Sequence, residues 1–198
     1  MENSNKKVLI WLYATIIMLG AMGCEQIFGA RGDLVVRVSD GDTLVLQDAN
    51  SKNFTVRFAC MDAPEIPHTN KQKQSQRASD RNQFNWGVKA QERVQQLVQQ
   101  AGDRVTLNIT DSDRYGRKVA EVRLRDGTFV QQVLLREGLA KVYRPYLNKC
   151  PSKDIVQQAE AEAKQQRLGV WSDAKFTNPW EYRSFNKSKP LKERENTP

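Results

Sequence analysis

The strongest constraint on the fold is a pair of short apolar segments with a period of two, separated by an Asp-Gly turn. The period-two positions lie at Leu34, Val36 and Val38 before the turn and at Leu44 and Leu46 after it. Asp40 and Gly41 occupy the turn itself. Because Asp-Gly favours the tight turn of a two-residue hairpin, and period two is typical of half-buried strands, this segment predicts an antiparallel β-hairpin.

The rest of the chain adds further short strands and then helices. A third strand is predicted over 54–60, with Arg57 on the face opposite Phe58. Two more strands are predicted near 104–110 and 117–124, joined by a turn, and a short one over 139–143. Helical spacing predicts three helices: 84–101 before Gly102, one capped by Thr128 and ended by Gly138, and one opened by Ser152 or Asp154 and ended by Gly169. This order predicts the α+β class and a small five-stranded OB-fold-type Greek-key β-barrel with three helices packed outside.

The N-terminal segment is predicted to be a signal peptide over residues 1–23. Lys6 and Lys7 precede a mostly apolar run from Val8 to Gly23, which is short for a membrane span of about 20 residues. Cys24 follows small residues, which resembles a bacterial lipoprotein signal and predicts possible lipidation of Cys24. An uncleaved anchor is the alternative. In each case the domain is expected to be extracytoplasmic, secreted or attached to the cell envelope.

Three further segments complete the predicted organisation. Residues 24–32 are a linker, residues 33–173 form the folded domain, and residues 174–198 form a flexible basic tail. Inside the domain, residues 66–81 are polar and basic and are predicted to be a mobile loop.

Charge and composition limit the binding partners and the kinds of metal site that the chain can have. The chain has 31 Lys and Arg against 23 Asp and Glu, a net charge of +8, which favours nucleic acid or acidic lipid as partner. One histidine and three cysteines exclude a zinc ribbon and any site that needs two histidines. Cys60 is interpreted as a buried thiol or, in an oxidising compartment, as half of a disulfide with Cys150.

Three turns carry charged groups that a turn does not need. Asp42 follows the first hairpin turn, Asp62 and Glu65 follow the third strand, and Arg117 follows the last turn. Phosphodiester hydrolysis requires a cation, a base for water and fixed positive charge. Asp42 and Asp62 are candidate oxygen ligands for a hard cation. Glu65 is the candidate base, and Arg57 and Arg117 are candidate phosphate ligands.

These segments resemble the signature blocks of the staphylococcal nuclease (thermonuclease) family. The blocks are VSDGDT at 38–43, RFACMDAPE at 57–65, DRYGR at 113–117, GLAKV at 138–142 and LGVWS at 168–172. They occur in the family's order, over roughly residues 33–173. The resemblance implies an OB-type barrel and a Ca²⁺-dependent endonuclease that cuts DNA and RNA and leaves 3′-phosphate and 5′-hydroxyl ends.

The resemblance also implies roles for individual residues. Ca²⁺ would be held by Asp42, Asp62 and the main-chain carbonyl of Ala63, with Asp40 in support. Glu65 would be the general base, with Arg57 and Arg117 on the phosphate. Further substrate contacts would come from Arg114, Tyr115, and Tyr143 or Tyr146. Ala63 replaces a threonine of the best-known member, and the segment 66–86 is longer, which leaves the preferred substrate size open.

Two other functions are compatible with the charge. A noncatalytic single-stranded nucleic-acid-binding OB module would bind by stacking and charge alone. An envelope protein would place its basic face on anionic lipid. Neither explains the carboxylates Asp42, Asp62 and Glu65 within a basic chain. The expected partners are therefore DNA and RNA, with membrane contact only through the signal or a lipid anchor, and the expected state is a monomer.

Overall fold

The barrel is the centre of the computed structural model, which describes residues 32–188. The predicted signal peptide, Cys24, nearly all of the predicted linker and residues 189–198 lie outside the described residues. The strands are β1 (Asp33–Asp40), β2 (Thr43–Gln47), β3 (Asn53–Phe58), β4 (Met61–Asp62), β5 (Arg104–Ser112), β6 (Lys118–Leu124) and β7 (Lys141–Val142).

Five of these strands close into a barrel in the order β1-β2-β3-β6-β5. The pairs are antiparallel except β3 with β6, which is parallel and aligns Val56 with Lys118. The ring closes where Asp33 and Leu34 pair with the start of β5. The short strands β4 and β7 form a separate antiparallel pair. The predicted α+β class and five-stranded OB-type barrel are confirmed.

The barrel is filled by alternate residues of the strands. Leu44, Leu46 and Val56 are completely buried, as the period of two predicts. Val122 on β6 is equally buried. Val36 of β1 is an exception: it was predicted on the buried face but is 49% exposed, because a register irregularity between Val35 and Arg37 interrupts the alternation.

The helices are α1 (Asn70–Lys73), α2 (Ala78–Gln100), α3 (Val130–Arg136), α4 (Lys153–Gln165) and α5 (Pro179–Ser188), with 3₁₀ turns at Arg144–Lys149 and Gly169–Ser172. The three predicted helices correspond to α2, α3 and α4. The predicted cap of α3 is wrong, because α3 begins after Phe129 rather than Thr128. Ser152 is the N-cap residue of α4, as one of the two predicted alternatives, although its side chain makes no capping hydrogen bond.

The prediction of a mobile loop over residues 66–81 is wrong, because this segment contains α1 and the first turn of α2. Thr69 and Gln72 form a reciprocal capping box at the start of α1. Because this stabilisation is local and α1 buries no residue, the segment carries no apolar periodicity in the sequence.

The prediction of a flexible tail over residues 174–198 is also wrong for residues 179–188. These residues form α5, in which Pro179 and Tyr182 are buried. Tyr182 donates from its hydroxyl to Asp80 Oδ1 of α2 at 2.9 Å and packs edge-on against Phe84. Tertiary contacts with α2 therefore order a segment whose sequence is mostly polar. No helix between residues 32 and 188 is long and apolar enough to span a bilayer.

A disulfide joins Cys60 to Cys150, with the Cα atoms 5.4 Å apart. It ties the residues just before β4 to the end of the 3₁₀ turn at Arg144–Lys149. Of the two interpretations of Cys60, the structure has the bridge.

Candidate functional site

The first hairpin turn places Asp42 at one end of the barrel. A Cβ on Gly41 would lie 2.6 Å from Ala90 Cβ and 2.8 Å from Ala63 Cβ, so only glycine lets these segments meet. Asp42 is buried, and its Oδ2 accepts from the Ala63 N–H at 2.9 Å. The Asp42 N–H in turn donates to Asp40 Oδ1 at 2.9 Å. The turn therefore fixes Asp42 and uses Asp40 to support it.

Arg57 joins the two predicted ligand carboxylates. Its Nη1 donates to Asp42 Oδ1 at 2.9 Å and its Nη2 to Asp62 Oδ1 at 2.5 Å. Asp62 lies on β4 and is completely buried. Two buried carboxylates require counter-charge, and Arg57 supplies it by contacting both of them directly.

Glu65 is held by helix α2. Its N–H donates to Gln83 Oε1 at 3.3 Å. A Cβ on Gly87 would lie 2.1 Å from the Glu65 carbonyl oxygen, so the helix backbone packs directly on this segment. The carboxylate of Glu65 turns toward the same cleft as Asp42.

Helix α5 contributes a residue that sequence reasoning missed. Arg183 Nη1 donates to Glu65 Oε1 at 2.5 Å and to Asp62 Oδ1 at 3.2 Å, and Nη2 donates to Asp62 Oδ2. Pro179 at the first helical position and Glu181 in the first turn are helix-start signals that mark α5 in the sequence. No local signal links position 183 to position 62.

The carboxylates differ in their proton affinity. Burial, with the charge of Asp42, raises the pKa of Asp40 to about 7. Burial alone would raise the pKa of Asp42, but the Arg57 guanidinium and the Ala63 N–H hold it below its ordinary value. Burial and Asp42 raise the pKa of Asp62 to about 6, against the opposing effect of the two arginines. Asp42 is thus the member of the cluster whose ionised form is most favoured.

A cleft of about 1000 Å³ runs from these carboxylates across the barrel end. Arg117 lines it and is held by its own turn, since Nε donates to Asp113 Oδ2 at 2.7 Å. Arg114 and Tyr115 lie beside it, with the Arg114 guanidinium carbon 5.0 Å from the centre of the Tyr115 ring. All the predicted site residues of the domain line this cleft except Asp62, which is buried beneath arginines.

Aromatic side chains also line the cleft. Tyr143 and Tyr146 are stacked with ring centres 5.7 Å apart, and Trp180 of α5 lies 5.5 Å from Tyr143. The Tyr143 N–H donates to the Cys60 carbonyl at 2.9 Å, so the stack is tied to the segment that carries Asp62. Trp180 is a second site feature that sequence reasoning did not find.

The donor set fits a hard divalent cation. Asp42 and Asp62 offer carboxylate oxygens and are close enough to bind the same guanidinium, and oxygen is the ligand type that Ca²⁺ prefers. Within residues 32–188, the three-residue cluster with metal-binding spacing is Cys60, Glu121 and Cys150. Its cysteines form the disulfide, so it offers no thiolates.

Comparisons with known proteins agree on one family. Residues 55–173 match the family model described as staphylococcal nuclease homologue. An uncharacterized endonuclease of Escherichia coli O157:H7 is 36% identical over 160 residues, covering 81% of this chain and 87% of that protein. A micrococcal nuclease of Shigella flexneri is 33% identical over 166 residues, covering 80% and 83%. Endonuclease YncB of Bacillus subtilis is 35% identical over 151 residues, covering 76% and 64%.

Proposed function

The chain belongs to the staphylococcal nuclease homologues, and we propose that this nuclease is an exported, Ca²⁺-dependent endonuclease that cuts both DNA and RNA. Its products would carry 3′-phosphate and 5′-hydroxyl ends. The observation that carries the proposal is the cluster of Asp42, Asp62 and Glu65 at one end of the barrel of a basic chain. Arg57 binds Asp42 and Asp62, and Arg183 binds Asp62 and Glu65. A binding module has no need for three acidic groups where a polyanion must dock.

Asp42 and Asp62 are the proposed metal ligands, with the Ala63 carbonyl beside them and Asp40 in support. A bound Ca²⁺ would supply positive charge to a phosphate oxygen where negative charge develops in the transition state. The support for this assignment is the rigid placement of Asp42, whose two oxygens are oriented by Arg57 and by the Ala63 N–H.

Glu65 is the proposed general base. Its side chain is 26% exposed on the cleft side, so a water molecule has access to it. Glu65 takes the proton of that water as its oxygen attacks phosphorus, a role worth roughly 10² to 10⁴ in rate. The bond from phosphorus to the 5′-oxygen breaks, and the 5′-oxygen takes up a proton from solvent and leaves as a hydroxyl. The phosphate therefore stays on the 3′ end.

Arginines and aromatic residues are proposed to hold the nucleic acid. Arg57 and Arg117 present guanidinium groups that suit the phosphate undergoing attack. Arg114 and Tyr115 line the cleft and would contact a terminal phosphate, and Tyr143 or Tyr146, which line it too, would stack on a base. Base stacking on aromatic rings tolerates any base, which is in keeping with a nuclease of low sequence preference.

The direct test is cleavage of single-stranded DNA, duplex DNA and RNA by the purified protein with Ca²⁺ or with a chelator. Glu65→Gln removes the base. The matched control is Glu162→Gln on α4, where the carboxylate forms a surface ion pair with Arg136 of α3. We expect cutting by the wild type and the control only when Ca²⁺ is present, and end-labelling should find 3′-phosphates. Strand binding without cutting in the wild type would instead identify a noncatalytic binding module.

Export is proposed from the N-terminal segment and is supported by the Cys60–Cys150 disulfide, which is typical of oxidising compartments. Cell fractionation and fatty-acid labelling of the wild type and of Cys24→Ala test it. Label on the wild type alone would assign a lipid anchor to Cys24, and recovery of the protein in the cytoplasm would refute export. We also expect a monomer, and light scattering measures this directly.

A further inference from the structure

We infer that Arg183 is an internal counterion of Asp62 that a divalent cation displaces when it binds, so that helix α5 is a working part of the metal site. The inference rests on the proposed metal site at Asp42 and Asp62. Helix α5 lies beyond residues 55–173, the segment that matches the family model.

The hydrogen bonds of Asp62 carry the first step. Oδ1 accepts from Arg57 Nη2 and from Arg183 Nη1, and Oδ2 accepts from Arg183 Nη2. Both oxygens are therefore engaged by guanidinium groups, and Asp62 is completely buried beneath them. A cation that uses Asp62 as a ligand must take the place of one of these arginines.

Of the two arginines, Arg183 is the one that can leave. Arg57 lies on barrel strand β3, is 21% exposed and also binds Asp42. Arg183 is 34% exposed and sits on a helix outside the barrel. Its second partner is Glu65, which itself lines the cleft, so Arg183 can release Asp62 and stay bound to Glu65. Its long side chain can move into the cleft without any change in the barrel backbone.

Helix α5 is docked by contacts that do not involve Arg183. Tyr182 binds Asp80 and packs on Phe84, and Asn186 Oδ1 accepts from Arg77 at 3.2 Å. Just before the helix, Asn178 accepts from Lys141 at 2.7 Å. These contacts bring Arg183 to Asp62 in the first place and keep the helix in position after the exchange. The exchange is therefore a side-chain event.

The exchange also moves positive charge to where the substrate binds. When a divalent cation neutralises Asp62, the released Arg183 guanidinium stays in the cleft, which Ser184 and Lys187 of α5 also line. Cation binding would then add a phosphate ligand to the cleft while it fills the acidic cluster.

The test is calorimetric titration of Ca²⁺ into the full-length protein and its variants, with no nucleic acid present. Arg183→Gln should bind Ca²⁺ about tenfold more tightly than the wild type, because the cation no longer competes with a charged hydrogen-bond donor. Arg183→Lys keeps the charge without the forked donor and should fall between the two. Arg136→Gln loses the same charge from an exposed ion pair on α3 and should stay within about twofold of the wild type.

Asp62→Asn distinguishes a failure of the proposed metal site from a failure of the proposed counterion role of Arg183. If Asp62→Asn binds Ca²⁺ as the wild type does, the proposed metal site is wrong and this inference fails with it. If Asp62→Asn loses binding while Arg183→Gln and Arg183→Lys both match or fall below the wild type, only the counterion role is overturned. Circular dichroism checks folding, and if Arg183→Gln does not fold, the affinity of Arg183→Lys decides.

Discussion

Two glycines shape the site at the scale of single residues as much as the carboxylates do. Gly41 lets helix α2 and the residue after Asp62 meet at the first hairpin turn, and Gly87 lets the same helix pack on the backbone of Glu65. At both positions a methyl group would contact atoms that position a functional carboxylate. The positions of the acidic side chains therefore depend on two glycines, which carry no reactive group.

Gly87→Ala should destabilise the protein, although alanine normally stabilises a helix interior by about 1 kcal/mol relative to glycine. The added Cβ would overlap the Glu65 and Pro64 carbonyls, and overpacking of this kind costs roughly 1–3 kcal/mol. Displacement of Glu65 should also reduce cleavage. Urea unfolding and a cleavage assay measure both effects, with Gln96→Ala on the exposed face of α2 as control. A more stable and fully active Gly87→Ala would contradict the packing argument.

Asp40 should make the protein less stable as the pH rises. Its pKa is about 7 in the folded state against an ordinary value of 3.8, because burial and Asp42 disfavour the ionised form. The folded state therefore binds more protons between these values, and its stability falls as the pH rises through this window. Asp40→Asn keeps the oxygen that accepts from Asp42 and removes the titration.

Denaturant unfolding at pH 4 and pH 8, in the presence of a chelator, measures this effect. Asp40→Asn should gain stability relative to the wild type at pH 8 and little at pH 4. An equal difference at the two pH values would show that Asp40 does not titrate in this window.

At the scale of elements, the disulfide links two of the segments that line the cleft. Cys60 immediately precedes β4 and Asp62, and Cys150 closes the 3₁₀ turn that carries Tyr146. The bridge joins residues 90 positions apart. Cross-linking a loop of this size restricts the unfolded chain strongly.

Cys60→Ser with Cys150→Ser should lower the free energy of unfolding by about 4.6 kcal/mol, the chain-entropy value for so long a loop. Thermal unfolding with and without reductant measures it. The wild type should lose stability in reductant, while the double variant should not respond. A wild type that is insensitive to reductant, with its thiols shown to be free, would contradict the bridge.

The elements differ in how far the sequence predicts them. The barrel strands and α2 to α4 were predictable because each carries an apolar period and a turn or glycine stop. Helix α5 was not, because its few buried residues, such as Tyr182, depend on Asp80 at a separation of 102 residues. The same holds within the site. Asp42 and Glu65 stand out in local turns, whereas Arg183 reaches Asp62 only through the docking of a helix 121 residues later.

At the scale of the whole molecule, the net charge of +8 predicts how binding depends on salt. Each phosphate that a basic residue neutralises on a single strand releases counterions and adds about 0.7 to the slope of log affinity against log salt. The exposed Arg114 at the rim of the cleft is one of the residues placed to do this.

Arg114→Ala should therefore weaken oligonucleotide binding uniformly across sequences and reduce the salt slope by roughly one phosphate contact. Fluorescence anisotropy on a Glu65→Gln background, over a series of salt concentrations, gives the slope without cleavage. Arg136→Ala, on α3 outside the cleft, serves as the control. An unchanged slope in Arg114→Ala would remove Arg114 from the interface.

The parallel pairing of β3 with β6 joins two segments that lie far apart in the sequence. Val56 meets Lys118 only after the long intervening chain, with helix α2 and strand β5, has been brought together. Contacts this distant in sequence slow folding, because the entropy of closing the loop is lost before the pairing compensates for it. A chain that ends before residue 118 thus holds Asp42, Asp62 and Glu65 but lacks the strand that pairs with β3, so hydrolytic competence should require the segment from residue 118 onward.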